Sequence, residues 1–213
     1  MSQDAQALIS MFGSQTVIPV IRLEHVENAV PLARALAAGG LRAVEITLRT
    51  EAALEAVMRI AEDVPEAIVG AGTVLDAHQF ELAIKAGARF IVSPGMTQEL
   101  LDAARDAAAP LLPGAITPSE IMAAREEGYS LLKFFPAEQA GGADFLRALA
   151  SPLPAIRFCP TGGITAANAG RYLTLPNVLC VGGSWVAPQA LIAAGDWKGI
   201  TRLAREASTL PRH

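Results

Sequence analysis

Residues 172–195 read YLTLPNVLCVGGSWVAPQALIAAG, a stretch without a single formally charged side chain. How it is read decides the fold. A run of this length and apolarity is long enough for one bilayer-spanning helix. Pro176, Asn177, Gly182, Gly183, Ser184 and Pro188 interrupt it, however, and a lipid-exposed helix tolerates few such breaks. The same breaks divide it naturally into strand, loop and helix. Val178-Leu179-Cys180-Val181 is apolar on consecutive residues instead of alternate ones. That pattern suits a strand covered on both faces, as in a parallel sheet.

Working outward, the same kind of segment recurs. Short apolar runs at 17–22, 43–49, 68–73, 90–93, 111–115, 131–135, 156–161 and 178–184 alternate with stretches of helical period. In 51–63, for example, Leu54, Val57, Met58 and Ala61 share one helical face. Thr117-Pro118-Ser119-Glu120 has the form of a helix start, with an N-cap threonine, a proline at the first position and a capping-box glutamate. Asp76 and Gln79 read as a similar start. Eight βα units predict a parallel α/β architecture, a single (β/α)8 TIM barrel over 1–213. A short amphipathic helix within 1–15, carried by Ala5, Leu8, Ile9 and Phe12, precedes the first strand. A doubly wound sheet is disfavoured because no GxGxxG follows that strand. Pro19 stands against the first strand, since proline removes a ladder donor.

Composition agrees with one compact domain. The 213 residues carry 17 basic and 21 acidic side chains, a net charge of −4. That balance argues against a nucleic-acid surface, which shows a basic excess. The mean hydropathy of +0.35 is inflated by 41 alanines, which favour helix without needing lipid. Cys159 and Cys180 lie in apolar runs outside any CxxC pair, as expected for buried free thiols in a reducing compartment. The opening MSQDAQALISMFGSQ carries an acid where a signal peptide has lysines. The expectation is a cytoplasmic chain with no membrane partner.

In a barrel of this kind the site forms at the C-terminal ends of the strands. Period-2 geometry puts Ala43, Glu45, Thr47 and Arg49 on one face of the second strand, opposite Val44, Ile46 and Leu48. The apolar set must meet the helices, so a glutamate, a threonine and an arginine face inward, either as a structural ion pair or as chemistry. The sixth strand holds Lys133 among Leu131, Leu132, Phe134 and Phe135. It is one of three lysines against fourteen arginines. Desolvation in such surroundings favours a neutral amine, and a neutral amine can form a Schiff base with a ketone. A plain counter-ion to Glu45 is the competing reading. Gly162-Gly163 and Gly182-Gly183-Ser184 end strands seven and eight, where this fold repeatedly binds phosphate. Thr73 and Thr161 end strands three and seven and are placed to bond substrate oxygens. Arg22 ends the first strand, to hold an anion or a rim salt bridge, and Arg157 has no assigned role. His25, His78 and His213 are scattered, so neither a metal nor another cofactor is expected.

With 40–49 (GLRAVEITLR) and 128–137 (GYSLLKFFPA) in place, the chain closely resembles the 2-keto-3-deoxy-6-phosphogluconate (KDPG) and 4-hydroxy-2-oxoglutarate (KHG) aldolase family. The likeness continues through 69–74 (VGAGTV), 93–95 (SPG), 158–164 (FCPTGGI) and 182–185 (GGSW). It implies a metal-free class I aldolase, a homotrimer acting on a small phosphorylated keto acid. By that resemblance Lys133 is the Schiff-base lysine and Glu45 the general acid/base. Arg49 and Thr73 hold the pyruvate carboxylate, and Phe135 and Thr161 line the pocket. Gly162, Gly163, Gly183 and Ser184 hold the phosphate. A sister branch cleaves the phosphogalactonate epimer. Thr47-Leu48-Arg49 and Thr161 resemble the gluconate branch, whereas Arg22 resembles other members and leaves a mixed substrate range open. The rival from another functional class is a non-catalytic barrel that binds phosphorylated ligands.

Overall fold

The computed structural model describes residues 5–213, so the first four residues of the expected N-terminal segment 1–15 lie outside the described residues. Strands and helices alternate along the chain. The order is α1 (Ala5–Phe12), β1 (Val17–Ile21), α2 (Ala29–Ala38), β2 (Ala43–Thr47), α3 (Ala53–Asp63), β3 (Ile68–Gly72) and α4 (Ala77–Lys85). There follow β4 (Ile91–Val92), α5 (Gln98–Ala104), β5 (Leu111–Leu112), α6 (Pro118–Glu126), β6 (Leu131–Phe134) and α7 (Gly142–Leu149). The chain closes with β7 (Arg157–Pro160), α8 (Ala169–Leu173), β8 (Val181–Gly183), α9 (Gln189–Ala193) and α10 (Trp197–Ser208). Each of the eight apolar runs contains a strand, and every pairing is parallel. The uncharged stretch 172–195 is divided among α8, β8 and α9. Among the described residues no helix is long and apolar enough to cross a membrane.

The ladder is less continuous than the sequence predicts. Six strands form one sheet in the order β5-β4-β3-β2-β1-β8, a half-barrel, while β6 and β7 pair separately. Single bridges join the two parts, at Gly114–Lys133 on one side and at Phe158–Val178 and Thr161–Gly182 on the other. Prolines account for part of the thinning. Pro113 follows β5 directly and Pro160 ends β7, and neither can donate to a neighbour. Pro19 is accommodated by a change of partner. Pairing of β1 with β8 stops at Pro19–Gly183, and pairing with β2 begins at Val20–Glu45.

Two buried clusters result. The larger lies between strands and helices and takes Val44, Ile46 and Leu132. The smaller collects Ile18, Ala43, Phe90, Val92, Leu112, Leu131, Cys159 and Cys180 from the strand region, together with Leu8 and Phe12 of α1. The expected N-terminal helix therefore packs its apolar face against the interior of the strands. Phe12 is fully buried and meets Phe90 edge-on at 4.9 Å between ring centroids. Truncating Phe12 to alanine is expected to cost about 3–5 kcal/mol in urea unfolding. A loss below about 1 kcal/mol would mean that α1 does not carry this end of the core.

Local signals behave as their chemistry requires. Thr117 and Glu120 form the reciprocal capping box at the start of α6. The backbone N–H groups of Thr117 and Ile116 hold the Glu120 carboxyl below the usual carboxylate range. Asp76 caps α4 by accepting from the Gln79 N–H. Cys159 and Cys180 are free and buried, with sulfurs 3.7 Å apart. Their mutual hydrogen bond, followed by burial, pushes the Cys180 thiol up.

Candidate active site

Alternation along β2 and β6 creates the centre of the site. On β2, Val44 and Ile46 turn to the helices, so Glu45 turns inward. On β6, Leu131 lies in the smaller cluster, which places Lys133 one step further along the same face. Lys133 Nζ lies 3.3 Å from Glu45 Oε1, and each side chain is only 4% exposed. Burial of two charges is costly unless they are paired and hydrogen-bonded, and this pair meets that condition. Lys133 Nζ also stands 5.4 Å from the centroid of the Phe135 ring, within cation–π range. Space for the carboxylate comes from Gly72. A Cβ there would lie 2.0 Å from Glu45 Oε1, closer than any real contact.

Above the pair lies a cavity of about 370 Å³ lined by Arg22, Thr47, Arg49, Lys133, Phe135 and Thr161, with the glycine loops completing the wall. Glu45 sits beneath it and reaches it through Lys133. The Arg49 Nε donates to Thr73 Oγ1 at 3.0 Å. Thr73 therefore acts on the cavity through Arg49 instead of lining it. Its φ of +58° is the only positive value among the described non-glycine residues. A β-branched residue there is strained, and such strain gathers at functional sites. The Thr47 hydroxyl is committed to the Ile21 carbonyl at 2.9 Å.

The opposite wall suits an anion. Gly162 and Gly163 take φ of +102° and +73°, open to glycine at little cost. Three consecutive carbonyls of this loop are tied. Thr161 accepts from the Ala137 N–H and Gly162 from the Glu138 N–H, while Gly163 accepts from Asn168 Nδ2. Among the described residues, the N–H groups of Gly163, Ile164 and Ser184 have no partner within the protein. Donors left free along a cavity wall form an anion-binding nest. Gly183 is also constrained sterically, because a Cβ there would meet the Trp185 ring at 1.8 Å.

The sequence-derived candidates thus converge. Arg49, Lys133, Phe135, Thr161, Gly162, Gly163, Gly183 and Ser184 line one cavity, with Glu45 and Thr73 directly behind it. Arg22 lines its mouth and pairs with Glu24 at 2.9 Å. Arg157 is exposed at the start of β7, at the strand end remote from the glycine loop. Gln189, which donates to the Arg22 carbonyl, also lines the cavity. No sequence signal marked it. Among the described residues no three His, Cys, Asp or Glu side chains are grouped to hold a metal ion. A buried amine beside a carboxyl, facing an anion nest, can attack a carbonyl while the far end of a charged molecule is held.

Comparison with known proteins points the same way. The KHG/KDPG aldolase of Escherichia coli strain K12 is 52% identical over 198 residues, covering 93% of each chain. The structure of KDPG aldolase from Legionella pneumophila, with pyruvate captured at low pH as a covalent carbinolamine intermediate, superposes with a TM-score of 0.92. It is 46% identical and covers 94% of this chain and 97% of its own. That of Zymomonas mobilis ZM4 with 3-phosphoglycerate gives a TM-score of 0.89 at 47% identity, covering 95% of both chains. The aldolase family profile, KDPG and KHG aldolase, matches residues 8–203. With the fold, the buried lysine–glutamate pair and this match over nearly the whole chain in agreement, the chain belongs to the KDPG and KHG aldolase family.

Proposed function

We propose that this chain is a class I aldolase that cleaves 2-dehydro-3-deoxy-6-phosphogluconate to pyruvate and glyceraldehyde 3-phosphate. The observation that carries the reading is Lys133 Nζ at 3.3 Å from Glu45 Oε1, on the wall of a cavity whose other side offers unpartnered N–H groups. Neutral Lys133 attacks the C2 ketone, and Glu45 moves the protons that turn carbinolamine into iminium. The iminium draws electrons from the C3–C4 bond as Glu45, directly or through water, takes the C4 hydroxyl proton. Glyceraldehyde 3-phosphate leaves, the enamine is protonated at C3, and water hydrolyses the imine to pyruvate. Arg49, held by Thr73, binds the carboxylate end. Phe135 and Thr161 flank the reacting carbons. Gly162, Gly163, Gly183 and Ser184 receive the phosphate.

The same centre acts on 4-hydroxy-2-oxoglutarate, giving pyruvate and glyoxylate. That substrate uses the lysine and the carboxylate subsite without the phosphate nest. The resemblance of 47–49 and Thr161 to the gluconate branch favours the gluconate over the galactonate epimer. We read residues 1–213 as one domain, its half-barrel completed by β6 and β7 through the single bridges into an eight-strand barrel. By family likeness it acts in the cytoplasm as a homotrimer.

Borohydride reduction with pyruvate, followed by peptide mass mapping, tests the chemistry. One reduced pyruvate on Lys133 is the expected result. No adduct, with phosphorylated-sugar binding retained, would make the molecule a binding barrel. Comparing cleavage of the two C4 epimers and of 4-hydroxy-2-oxoglutarate fixes the substrate order.

A further inference from the structure

Glu138 poses a question. It adjoins the loop proposed to hold a phosphate, where an acidic side chain ought to repel the ligand. It is exposed, it does not line the cavity, and its carboxylate accepts a hydrogen bond from the Tyr172 hydroxyl. Tyr172 is among the largest fully buried side chains, and this is its one side-chain hydrogen bond among the described residues. Burial, and then the Glu138 carboxylate, push the Tyr172 phenol well above the usual tyrosine range, so it remains a donor.

The pair bears on the glycine loop in two ways. The Glu138 N–H bonds the Gly162 carbonyl at 3.2 Å, beside the Ala137 N–H to Thr161 at 2.8 Å. The methylenes of Glu138 occupy the place of the missing Gly163 side chain, where a Cβ would be 2.8 Å from both Cβ and Cγ. Backbone and side chain of one residue therefore fix the side of the loop that carries the tied carbonyls. Holding that side presents the free N–H groups to the cavity.

We infer that Glu138 and Tyr172 are positioning residues for the phosphate end of the substrate. Tyr172 anchors Glu138, and Glu138 braces Gly162–Gly163 while its charge is kept out of the cavity. The inference rests on the proposed aldolase reading for its substrate, though not for the anion site itself.

The test compares Tyr172→Phe, Glu138→Gln and Tyr172→Phe/Glu138→Gln with the parent chain on two substrates. Tyr172→Phe frees the carboxylate. It is expected to raise KM for the phosphogluconate substrate about tenfold, with kcat within about twofold. Parameters for 4-hydroxy-2-oxoglutarate, which lacks phosphate, should not move. Glu138→Gln keeps an acceptor for Tyr172 and should stay near the parent KM, and the double variant should recover part of the Tyr172→Phe loss. An unchanged phosphogluconate KM in Tyr172→Phe, or equal rises for both substrates, overturns the inference. Calorimetric titration with inorganic phosphate gives the same comparison without turnover, with about tenfold weaker binding expected in Tyr172→Phe. The pyruvate adduct on Lys133 requires no phosphate, so its absence in the parent chain would tell against the aldolase reading alone.

Discussion

Lys133→Arg and Lys133→Met are both expected to form no pyruvate adduct and to lose at least ~10³-fold in cleavage. Arginine keeps the positive charge beside Glu45, so it separates charge from nucleophilicity. If Lys133 served only as the counter-ion of a buried carboxylate, the arginine variant would retain function. Under the aldolase mechanism it fails as completely as methionine, because the guanidinium stays protonated and cannot attack a ketone. A pyruvate-release assay on the two variants decides between these outcomes. Methionine also strands Glu45 below the cavity. Breaking such a pair costs about 3–5 kcal/mol when one charge stays uncompensated. Comparing Lys133→Met with Lys133→Met/Glu45→Gln by chemical unfolding separates that cost from the loss of activity.

Glu45→Gln should lower cleavage by about 10²–10⁴-fold, the range for a positioned acid/base. The reaction needs one group to give and accept protons at several stages, and an amide does neither. Lys133 remains present, so the reduced pyruvate adduct should still appear, only more slowly. Gly72→Ala reaches the same carboxyl by a different route. Its Cβ would fall 2.0 Å from Glu45 Oε1, so Glu45 must move. A displacement of about 1 Å can cost on the order of 10²-fold. Turnover near the parent rate in Glu45→Gln would remove Glu45 from the mechanism. Full activity in Gly72→Ala would show that its position is not critical.

Much of this site is legible in the sequence because it lies on strands. Period-2 alternation set Glu45 against Val44 and Ile46, and Lys133 against Leu132 and Phe134, and the side chains point accordingly. The strand limits were less legible. The run 178–184 yields a strand only over Val181–Gly183, and 111–115 only over Leu111–Leu112, because apolarity signals burial whether or not a ladder forms. Contacts between distant segments were not legible at all. Gln15 looks like any polar loop residue. Yet its amide donates to the Val17 and Ala43 carbonyls and accepts from the N–H groups of Arg42 and Ala43. The bond from Arg49 to Thr73 and that from Tyr172 to Glu138 are likewise products of the fold, with no local pattern to announce them.

The helix that opens the described chain has one further consequence. Leu8 and Phe12 pack with Phe90, Leu131 and Cys159 in one buried cluster, so apolar side chains fill the strand interior on the Leu131 side of Lys133. In the proposed reaction, water, aldehyde and keto acid therefore meet Lys133 from the cavity side. On that reading the iminium forms at Lys133, and the proposed phosphate loop at Gly162 and Gly163 lines another part of the same cavity. The proposed mechanism releases glyceraldehyde 3-phosphate before water frees pyruvate, so both departures pass through that cavity.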